Sequence, residues 1–328
     1  MSSYLLIGGA GVFGVHTASY LLEQPDTKKV ISVGRNLERS PAYTLNIGVA
    51  DPRYIYRQIH MTFELDRLLE LIDKEKPDYI INFAALAYAT SWDKSYRYYE
   101  TNLLAVVRLC EALSTRSFLK KFIQIGTSEL YGSVDRPADE KFPVYPTSPY
   151  AVSKLAADMH LETLHLVNKL PMNIIRPSNA YGPGQQIWRV IPRLIYNILT
   201  GQTFPLEGGG KVKKSYFHAR DLAQAIYIVA KNAPTGETYN VGPEVPISIR
   251  DLVFMITQEL NVDFDSVCKL APGRVGEDAQ YWLDSSKIKK LGWRQDISLE
   301  EGVRDMANWG KRYLDHLHKE SQEFVLHA

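Results

Sequence analysis

Three glycines, Gly8, Gly11 and Gly14, are spaced three residues apart near the start of the chain. The apolar run at residues 4–8 predicts a buried strand, and the periodicity of residues 12–23 predicts a helix that begins within the glycine motif. Gly8 allows a tight turn, Gly11 allows the backbone to approach a diphosphate, and Gly14 allows the helix to pack closely on the strand. This unit predicts a dinucleotide site; a glycine-rich turn without a ligand is the alternative.

The first turn of this helix is the expected position of the diphosphate. Backbone N–H groups at Val12 and Phe13 have no helical partners there, and the helix macrodipole favours an anion. The spacing G-x-x-G-x-x-G differs from the G-x-G-x-x-G of the usual fingerprint. We therefore expect Val12 and Phe13 to contact the cofactor together with the three glycines.

The second strand-like run, at residues 30–33, is followed by Gly34, Arg35 and Asn36. An acidic residue at this position would bind the adenosine ribose and select NAD. None is present, and the guanidinium of Arg35 would suit a 2′-phosphate. The sequence therefore favours NADP, with NAD possible; the alternative is that Arg35 is a solvated surface charge.

Strands and helices alternate over the first half of the chain. The strand-like runs are residues 4–8, 30–33, 79–84, 122–125 and 173–175, and the helical segments are residues 12–23, 66–75, 103–113 and 150–167. Such alternation is typical of βαβ units and predicts a parallel sheet. Because crossovers between parallel strands are right-handed, the expected fold is α/β with a doubly wound parallel sheet.

The pattern changes after Pro177, where glycine and proline interrupt shorter mixed segments. We therefore expect a dinucleotide-binding domain at residues 1–176 and a smaller mixed α/β substrate lobe at residues 177–214 and 243–328. Residues 215–242 are expected to return to the sheet of the first domain.

Composition limits the possible partners. Lys and Arg number 38 and Asp and Glu number 37, which argues against a dominant nucleic-acid-binding surface. No apolar segment reaches the ~20 residues that cross a bilayer, so we expect no membrane partner. The two cysteines lack metal-type spacing, which fits a reducing cytoplasm and predicts no metal site.

Tyr150 and Lys154 lie one helical turn apart in the segment SPYAVSK, which places both side chains on one helix face. An ammonium near the phenol would lower the phenol pKa from its usual ~10, so that Tyr150 becomes a usable base. An oxidoreductase that removes a hydride from an alcohol carbon needs such a base. A packed aromatic ring with a solvated lysine is the alternative.

The segment GTSELYG adds the hydroxyls of Thr127 and Ser128 and the carboxylate of Glu129. A carboxylate beside a tyrosine base indicates a second proton transfer, and so chemistry beyond simple oxidation. For Glu129, a helix-cap or surface role is the alternative.

Together with further motifs, these segments resemble the extended short-chain dehydrogenases/reductases that act on nucleotide sugars. The resemblance continues in Asn82-Phe83-Ala84-Ala85, Thr101-Asn102, Arg176 to Gly184, Asn240-Val241-Gly242, Ser248-Ile249 and Leu291-Gly292-Trp293. It implies a Rossmann domain and a nucleotide-diphosphate sugar as substrate. It also implies cofactor contacts at Ala84, Ala85, Asn102, Tyr150 and Lys154.

The element Thr127-Ser128-Glu129 resembles that of 4,6-dehydratases, above all the GDP-mannose 4,6-dehydratase type. In such an enzyme Tyr150, with Lys154 and Thr127, would remove the C4 hydroxyl proton. Glu129 would remove the C5 proton, and Glu129 or Ser128 would protonate the hydroxyl that leaves C6. Nucleotide-sugar 4-epimerases, C4 dehydrogenases and UDP-glucuronate-type decarboxylases remain alternatives, as does a non-catalytic dinucleotide-binding sensor.

The resemblance also implies substrate contacts. Arg274 would bind the diphosphate bidentately and Asn179 would bind it through its amide. Arg193 and Lys214 are further candidates, and Ser91 lies in a loop that is expected near the sugar. Many relatives have arginine in place of Lys214, which weakens the decarboxylase interpretation because lysine cannot fork a carboxylate. The alternative is that each of these cationic side chains is an ordinary surface charge.

The helices predicted at residues 103–113 and 151–166 are more apolar than one covered face requires. Pairing across a two-fold axis would bury them in a four-helix bundle, as in members of the family. We therefore expect a homodimer or homotetramer.

Overall fold

Thirteen strands form the β-structure of the described residues. The computed structural model describes residues 1–37, 40–87, 94–273 and 278–322. The strands are β1 (Ser2–Ile7), β2 (Thr27–Gly34), β3 (Tyr54–Gln58), β4 (Tyr79–Asn82), β5 (Lys121–Ile125), β6 (Met172–Pro177), β7 (Asn179–Tyr181), β8 (Phe204–Glu207), β9 (Lys213–Lys214), β10 (Tyr216–His218), β11 (Thr238–Val241), β12 (Ile247–Ser248) and β13 (Cys268–Ala271).

Seven of these strands form one parallel sheet in the order β11-β6-β5-β4-β1-β2-β3. The chain winds outward from β1 to β3 and then returns to β4 on the other side of β1, so the winding direction reverses between β1 and β4. This is the switch point of a doubly wound fold, where ligands bind beyond the carboxyl ends of the strands. The predicted fold class is confirmed.

Helices cover both faces of the sheet. They are α1 (Val12–Glu23), α2 (Pro41–Thr44), α3 (Ile47–Ala50), α4 (Leu65–Glu75), α5 (Tyr96–Tyr99), α6 (Ala105–Leu113), α7 (Pro149–Asn168), α8 (Val190–Leu199), α9 (Ala219–Asn232), α10 (Ile249–Glu259), α11 (Phe264–Val267), α12 (Ser286–Lys289), α13 (Leu299–Arg312) and α14 (Leu314–Leu317). Buried side chains of α1 and α9 pack on one face and those of α4, α6 and α7 on the other. Within the described ranges, no helix combines the length and apolarity that crossing a bilayer requires.

The second half of the chain builds a separate apolar core. It consists mainly of buried side chains from α8, α10 and α13. Three short ladders, β7 with β10, β8 with β13 and β9 with β12, connect the segments around it. The strand β11 instead pairs with β6 at the edge of the large sheet.

The elements that differ from the sequence analysis include the strand β3 and the start of α6. The edge strand β3 was not predicted, because its half-exposed residues give a weak apolar signal. The apolar helix predicted at residues 103–113 begins within a π-helical turn, Glu100–Leu104, before α6. Such wide turns are rare and are frequent at functional sites, and this one contains the predicted site residue Asn102.

A buried histidine makes the fold sensitive to acid. His16 on α1 donates from Nε2 to the Pro183 carbonyl at 2.9 Å, and its ring meets His218 edge-on at 5.4 Å. Burial, helped by the charge of His218, lowers the pKa of His16 from 6.5 to about 4. The unfolded chain therefore binds a proton at this position below about pH 6.5, whereas the folded chain does so only near pH 4.

We expect His16 to lower the free energy of unfolding by up to about 3 kcal/mol as the pH drops from about 6.5 to about 4. Urea unfolding at a series of pH values measures the loss. In the matched variant His16→Gln, the amide can still donate to Pro183 but does not titrate, so this part of the pH dependence should disappear. An unchanged pH dependence in the variant would contradict the assignment.

Candidate active site

Thr127, Ser128 and Glu129 lie just beyond the carboxyl end of β5. Thr127 is extended, and its Oγ1 accepts a hydrogen bond from the Glu129 backbone N–H at 3.2 Å. This bond caps the short 3₁₀ turn Ser128–Tyr131. The capped turn holds the three side chains at the edge of the sheet where the switch point lies.

Tyr150 lies in the first turn of α7. Pro149 opens the helix, and the Ser148 hydroxyl caps it by accepting from the Ala151 N–H at 3.1 Å. The Tyr150 side chain forms a hydrogen bond with Thr127. The structure therefore brings together the two segments that the sequence analysis singled out.

Burial and the charge of Glu129 raise the pKa of Tyr150 well above its usual value, although Thr127 and Arg189 lower it. The expected lowering of this pKa by Lys154 stays a prediction. The Lys154 Nζ donates to the Ile125 carbonyl at 2.6 Å rather than to the phenol. Tyr150 alone is thus a weak acid at neutral pH, and ionising it requires a further positive charge.

Glu129 is a carboxyl group whose pKa is shifted upward. Burial raises its pKa above the usual range, and the charge of Asp278 adds to this effect. Lys214 and Arg189 lower the pKa in opposition. A raised pKa makes Glu129 a stronger base when it is ionised and keeps it protonated to higher pH than an exposed carboxyl group, which suits a group that both takes up and releases a proton.

The sequence analysis missed Arg189 and Asp278. Arg189 directly precedes α8 and donates from Nη2 to the Ala87 carbonyl at 2.9 Å. Asp278 is buried and accepts from the Thr147 hydroxyl at 2.8 Å. No local motif marks either residue. The nearest signal in the sequence was Arg274, which lies four residues before Asp278 and was predicted to bind the diphosphate.

The glycine turn approaches β4 closely. Gly8 has φ +75°, and a Cβ there would lie 2.6 Å from the backbone nitrogen of Ala84. A Cβ on Gly14 would lie 2.4 Å from the Cα of Gly9. Both positions therefore exclude any side chain. Gly11 caps α1, so that the backbone N–H groups at its N-terminus, including Val12 and Phe13, lie where the diphosphate is predicted.

Asn102 fixes the loop that contains Ala84 and Ala85. Its Oδ1 accepts from the Leu86 N–H at 2.7 Å, and its Nδ2 donates to the Leu86 carbonyl and to the Ser153 hydroxyl, both at 3.0 Å. Asn102 therefore connects this loop to α7. Contact of Asn102, Ala84 and Ala85 with a cofactor stays a prediction.

Arg35 is exposed directly after β2, and Gln58 donates to its carbonyl at 3.1 Å. A Cβ on Gly34 would lie 2.8 Å from the Tyr56 hydroxyl and 3.3 Å from the Cβ of Ala10. An acidic side chain at position 34 would therefore require Tyr56 to move. Neither Gly34 nor Arg35 supplies the acidic side chain that contacts the ribose in NAD enzymes.

The predicted substrate residues are described in part. Asn179 on β7 and Arg193 on α8 each have a buried polar atom, Oδ1 and Nε, without a hydrogen-bond partner among the described residues. Buried polar atoms are rarely left unsatisfied, so a ligand group is expected there. Lys214 on β9 acts on Glu129, as given above. Ser91 and Arg274 lie outside the described residues.

Across the described part of the chain, no group of three or more His, Cys, Asp or Glu side chains is arranged to hold a metal ion. The charged groups that act on Tyr150 include Glu129, Arg189 and Asp158.

Comparison with known proteins identifies relatives over nearly the whole chain. A family model described as GDP-mannose 4,6 dehydratase matches residues 5–306. A dTDP-glucose 4,6-dehydratase of Haemophilus influenzae is 28% identical over 332 residues, which cover 94% of this chain and 98% of that protein. A trifunctional UDP-glucose 4,6-dehydratase/UDP-4-keto-6-deoxy-D-glucose 3,5-epimerase/UDP-4-keto-L-rhamnose-reductase of Arabidopsis thaliana is 28% identical over 319 residues.

That alignment covers 94% of this chain and 48% of the Arabidopsis protein, so the chain spans about half the length of this curated relative. Among solved structures, DesIV, a dTDP-glucose 4,6-dehydratase from Streptomyces venezuelae with NAD and TYD bound, matches with a TM-score of 0.86, 28% identity and coverage of 96% and 98%. A UDP-glucuronic acid 4-epimerase from Bacillus cereus in complex with UDP-glucuronic acid and NAD matches with a TM-score of 0.85, 26% identity and coverage of 94% and 99%.

Proposed function

Because the chain belongs to the GDP-mannose 4,6-dehydratase family within the extended short-chain dehydrogenases/reductases, we propose that it removes water from a nucleotide-diphosphate sugar and makes a 4-keto-6-deoxy product. One observation carries this proposal: the shielded carboxyl of Glu129 lies close enough to Tyr150 for its charge to raise the phenol pKa. Two proton-transfer groups side by side suit reaction at two neighbouring carbons, C4 and C5.

Tyr150 acts at C4 in this proposal. The Thr127 hydroxyl, which forms a hydrogen bond with Tyr150, would bind the C4 hydroxyl and orient it. Tyr150 would accept the proton of that hydroxyl while the carbon is oxidised. When bound, the nicotinamide supplies the hydride acceptor for C4 and afterwards the hydride donor for C6.

Glu129 acts at C5 and C6. The C4 ketone makes the C5 proton acidic, and the Glu129 carboxylate removes it. The C6 hydroxyl then leaves as water with a proton from Glu129 or Ser128, which leaves a C5–C6 double bond. A proton returns to C5 as C6 is reduced, so the net change is the loss of one water. The raised pKa of Glu129 supports both of its roles.

Residues of the second half would hold the diphosphate. The unsatisfied Nε of Arg193 could donate to an anionic ligand, and the unsatisfied Oδ1 of Asn179 could accept from a ligand hydroxyl. We propose the amide of Asn179, Lys214, Arg274 and Ser91 as further substrate contacts. This assignment rests on the domain division proposed from the sequence, with a dinucleotide-binding domain at 1–176 and 215–242 and a substrate lobe at 177–214 and 243–328.

For the cofactor we propose NADP, with NAD as the weaker ligand. The crowding of a Cβ at Gly34 and the exposed Arg35 support this choice. NAD is the cofactor named with the solved DesIV and Bacillus cereus structures. Measuring the affinity of this chain for both NAD and NADP therefore decides the cofactor proposal.

A homodimer is proposed from an exposed apolar stripe on α7. Val152, Met159 and Leu166 recur at intervals of seven residues and so share one helix face, and they are 37%, 59% and 69% exposed. Leu104, beside the start of α6, is 54% exposed. Since α6 and α7 pack together, a second copy could cover both helices across a two-fold axis.

The test of the reaction uses Glu129→Gln. With dTDP-glucose, UDP-glucose and GDP-mannose as probes, the natural chain should release water from at least one. In the variant, C4 oxidation should persist, whereas elimination and exchange of the C5 proton with deuterated solvent should fall by ~10²- to 10⁴-fold, since a base is lost. Mass spectrometry of the sugar and absorbance of the reduced nicotinamide give the two readouts.

The matched control is Glu140→Gln. Glu140 is a second carboxyl whose pKa burial raises, and it accepts from the Asn240 backbone N–H at 2.8 Å, an interaction that a glutamine oxygen can keep. Elimination should be nearly unchanged in this control. Unchanged elimination in Glu129→Gln would contradict the role of Glu129. Net inversion at C4 with these probes, or loss of carbon dioxide from UDP-glucuronate as a further probe, in place of loss of water, would overturn the dehydratase proposal.

The cofactor proposal is tested with Arg35→Ser. NADP should bind the natural chain more tightly than NAD, and the variant should lose about 10- to 100-fold in NADP affinity with little change for NAD, because a charge-assisted bond to phosphate is removed. Calorimetric titration measures both affinities. Arg67→Ser removes another exposed arginine, one already paired with Glu64, and should change neither. Tighter binding of NAD to the natural chain would refute the argument from Arg35.

The assembly is tested with Met159→Lys. Two lysines placed in a buried apolar interface should raise the dimer dissociation constant on the order of 100-fold. Analytical ultracentrifugation measures it. Val245→Lys, at an exposed valine away from α6 and α7, is the control and should leave assembly intact. A monomeric natural chain at micromolar concentration would disprove the proposal.

A further inference from the structure

Lys154 is buried more completely than its charge would allow without a counter-charge. Its side chain is among the largest that are fully buried, and its Nζ donates to the Ile125 carbonyl at 2.6 Å. Burial lowers the pKa of Lys154 from 10.5 to about 8, while the charge of Asp158 raises it. A further fall of this pKa would leave the amine neutral at physiological pH.

Asp158 lies one helical turn beyond Lys154 on the same face of α7 and is fully buried. Its Oδ2 accepts from the Arg176 guanidinium Nε at 3.0 Å. Its Oδ1 has no hydrogen-bond partner among the described residues. The contact with Arg176 therefore leaves one oxygen of the Asp158 carboxylate without a hydrogen bond. The reaction outlined above gives Asp158 no role.

Arg176 is itself held in place by the turn that carries Glu129. Its Nη1 donates to the Tyr131 hydroxyl at 3.1 Å, and that hydroxyl donates to Asn240 Oδ1 at 3.0 Å. Tyr131 ends the 3₁₀ turn, and Asn240 lies on β11. Asp158 is thus fixed from α7, β6, β11 and the catalytic turn at once, with no freedom to follow Lys154 if it moved.

We propose that Asp158 is a positioning residue whose fixed buried charge keeps Lys154 protonated and its ammonium on the Ile125 carbonyl beside the proposed reaction site. The proposal rests on the proposed function only in taking Lys154 as part of that site. Among the described residues, the groups that act on Lys154 are Asp158 from α7 and the Ile125 carbonyl from β5, and Arg176 on β6 faces Asp158. If Asp158 were neutral, burial alone would set the pKa of Lys154, and the amine would lose its proton at a lower pH.

The experiment follows the titration of Lys154 itself. Protein labelled with ¹³C-lysine is titrated by NMR without substrate, and the Lys154 signal is identified by its absence in Lys154→Arg. In Asp158→Asn the pKa of Lys154 should fall by about one pH unit or more. The alkaline limb of the pH profile of C4 oxidation should move down by a similar amount.

Glu162→Gln is the matched control, since Glu162 lies one turn further along α7 with its side chain exposed and its charge close to that of Asp158 and Arg176. It should leave the Lys154 titration unchanged. Because Asp158→Asn strands a buried arginine and can unfold the chain, the double variant Asp158→Asn/Arg176→Gln removes both charges and should show the same fall.

An unshifted Lys154 titration in either folded variant would overturn the proposal. If the pKa of Lys154 falls as expected in Asp158→Asn but the natural chain does not oxidise C4, the proposed function would be refuted. The role of Asp158 would then remain intact. The NMR titration and the product assay therefore separate the two ideas.

Discussion

Parallel pairing of β1, β4 and β5 is the constraint on which the candidate site depends. Parallel strands end at the same edge, so the glycine turn after β1, the Ala84 loop after β4 and the Thr127 cap after β5 meet although they are far apart in the sequence. The register pairs Asn82 with Gln124. A shift of one residue would turn every β5 side chain to the other face, and the catalytic turn would no longer face α7.

Burial at this edge moves the site residues toward their neutral forms. It raises the pKa values of Tyr150 and Glu129 and lowers that of Lys154 to about 8. Burial therefore widens the difference in proton affinity between Tyr150 and Lys154 and narrows the difference between Glu129 and Lys154. The same burial makes each charged form expensive, so its stability depends on nearby fixed charges such as Arg189 and Asp158.

Sequence patterns were sufficient for the sheet and for the residues at its edge, because apolar periodicity and motifs such as Tyr150/Lys154 are local. They were insufficient where the outcome depends on tertiary contacts. The direction of the Lys154 side chain follows from the position of the Ile125 carbonyl, which no spacing encodes. Arg189 and Asp278 reach Glu129 only because the second half of the chain folds over β5, so neither could be recognised from its neighbours in sequence.

The charges that tune Glu129 come from the second half of the chain, whereas Glu129 itself belongs to the first. Arg189 precedes α8, Lys214 lies on β9 and Asp278 follows β13. Asp278 also binds Thr147, which directly precedes the Ser148 cap of α7. A displacement of these segments would therefore change the proton affinity of Glu129 and the start of the helix that carries Tyr150 together. The acid–base pair is consequently complete only while the two halves of the chain are packed against each other.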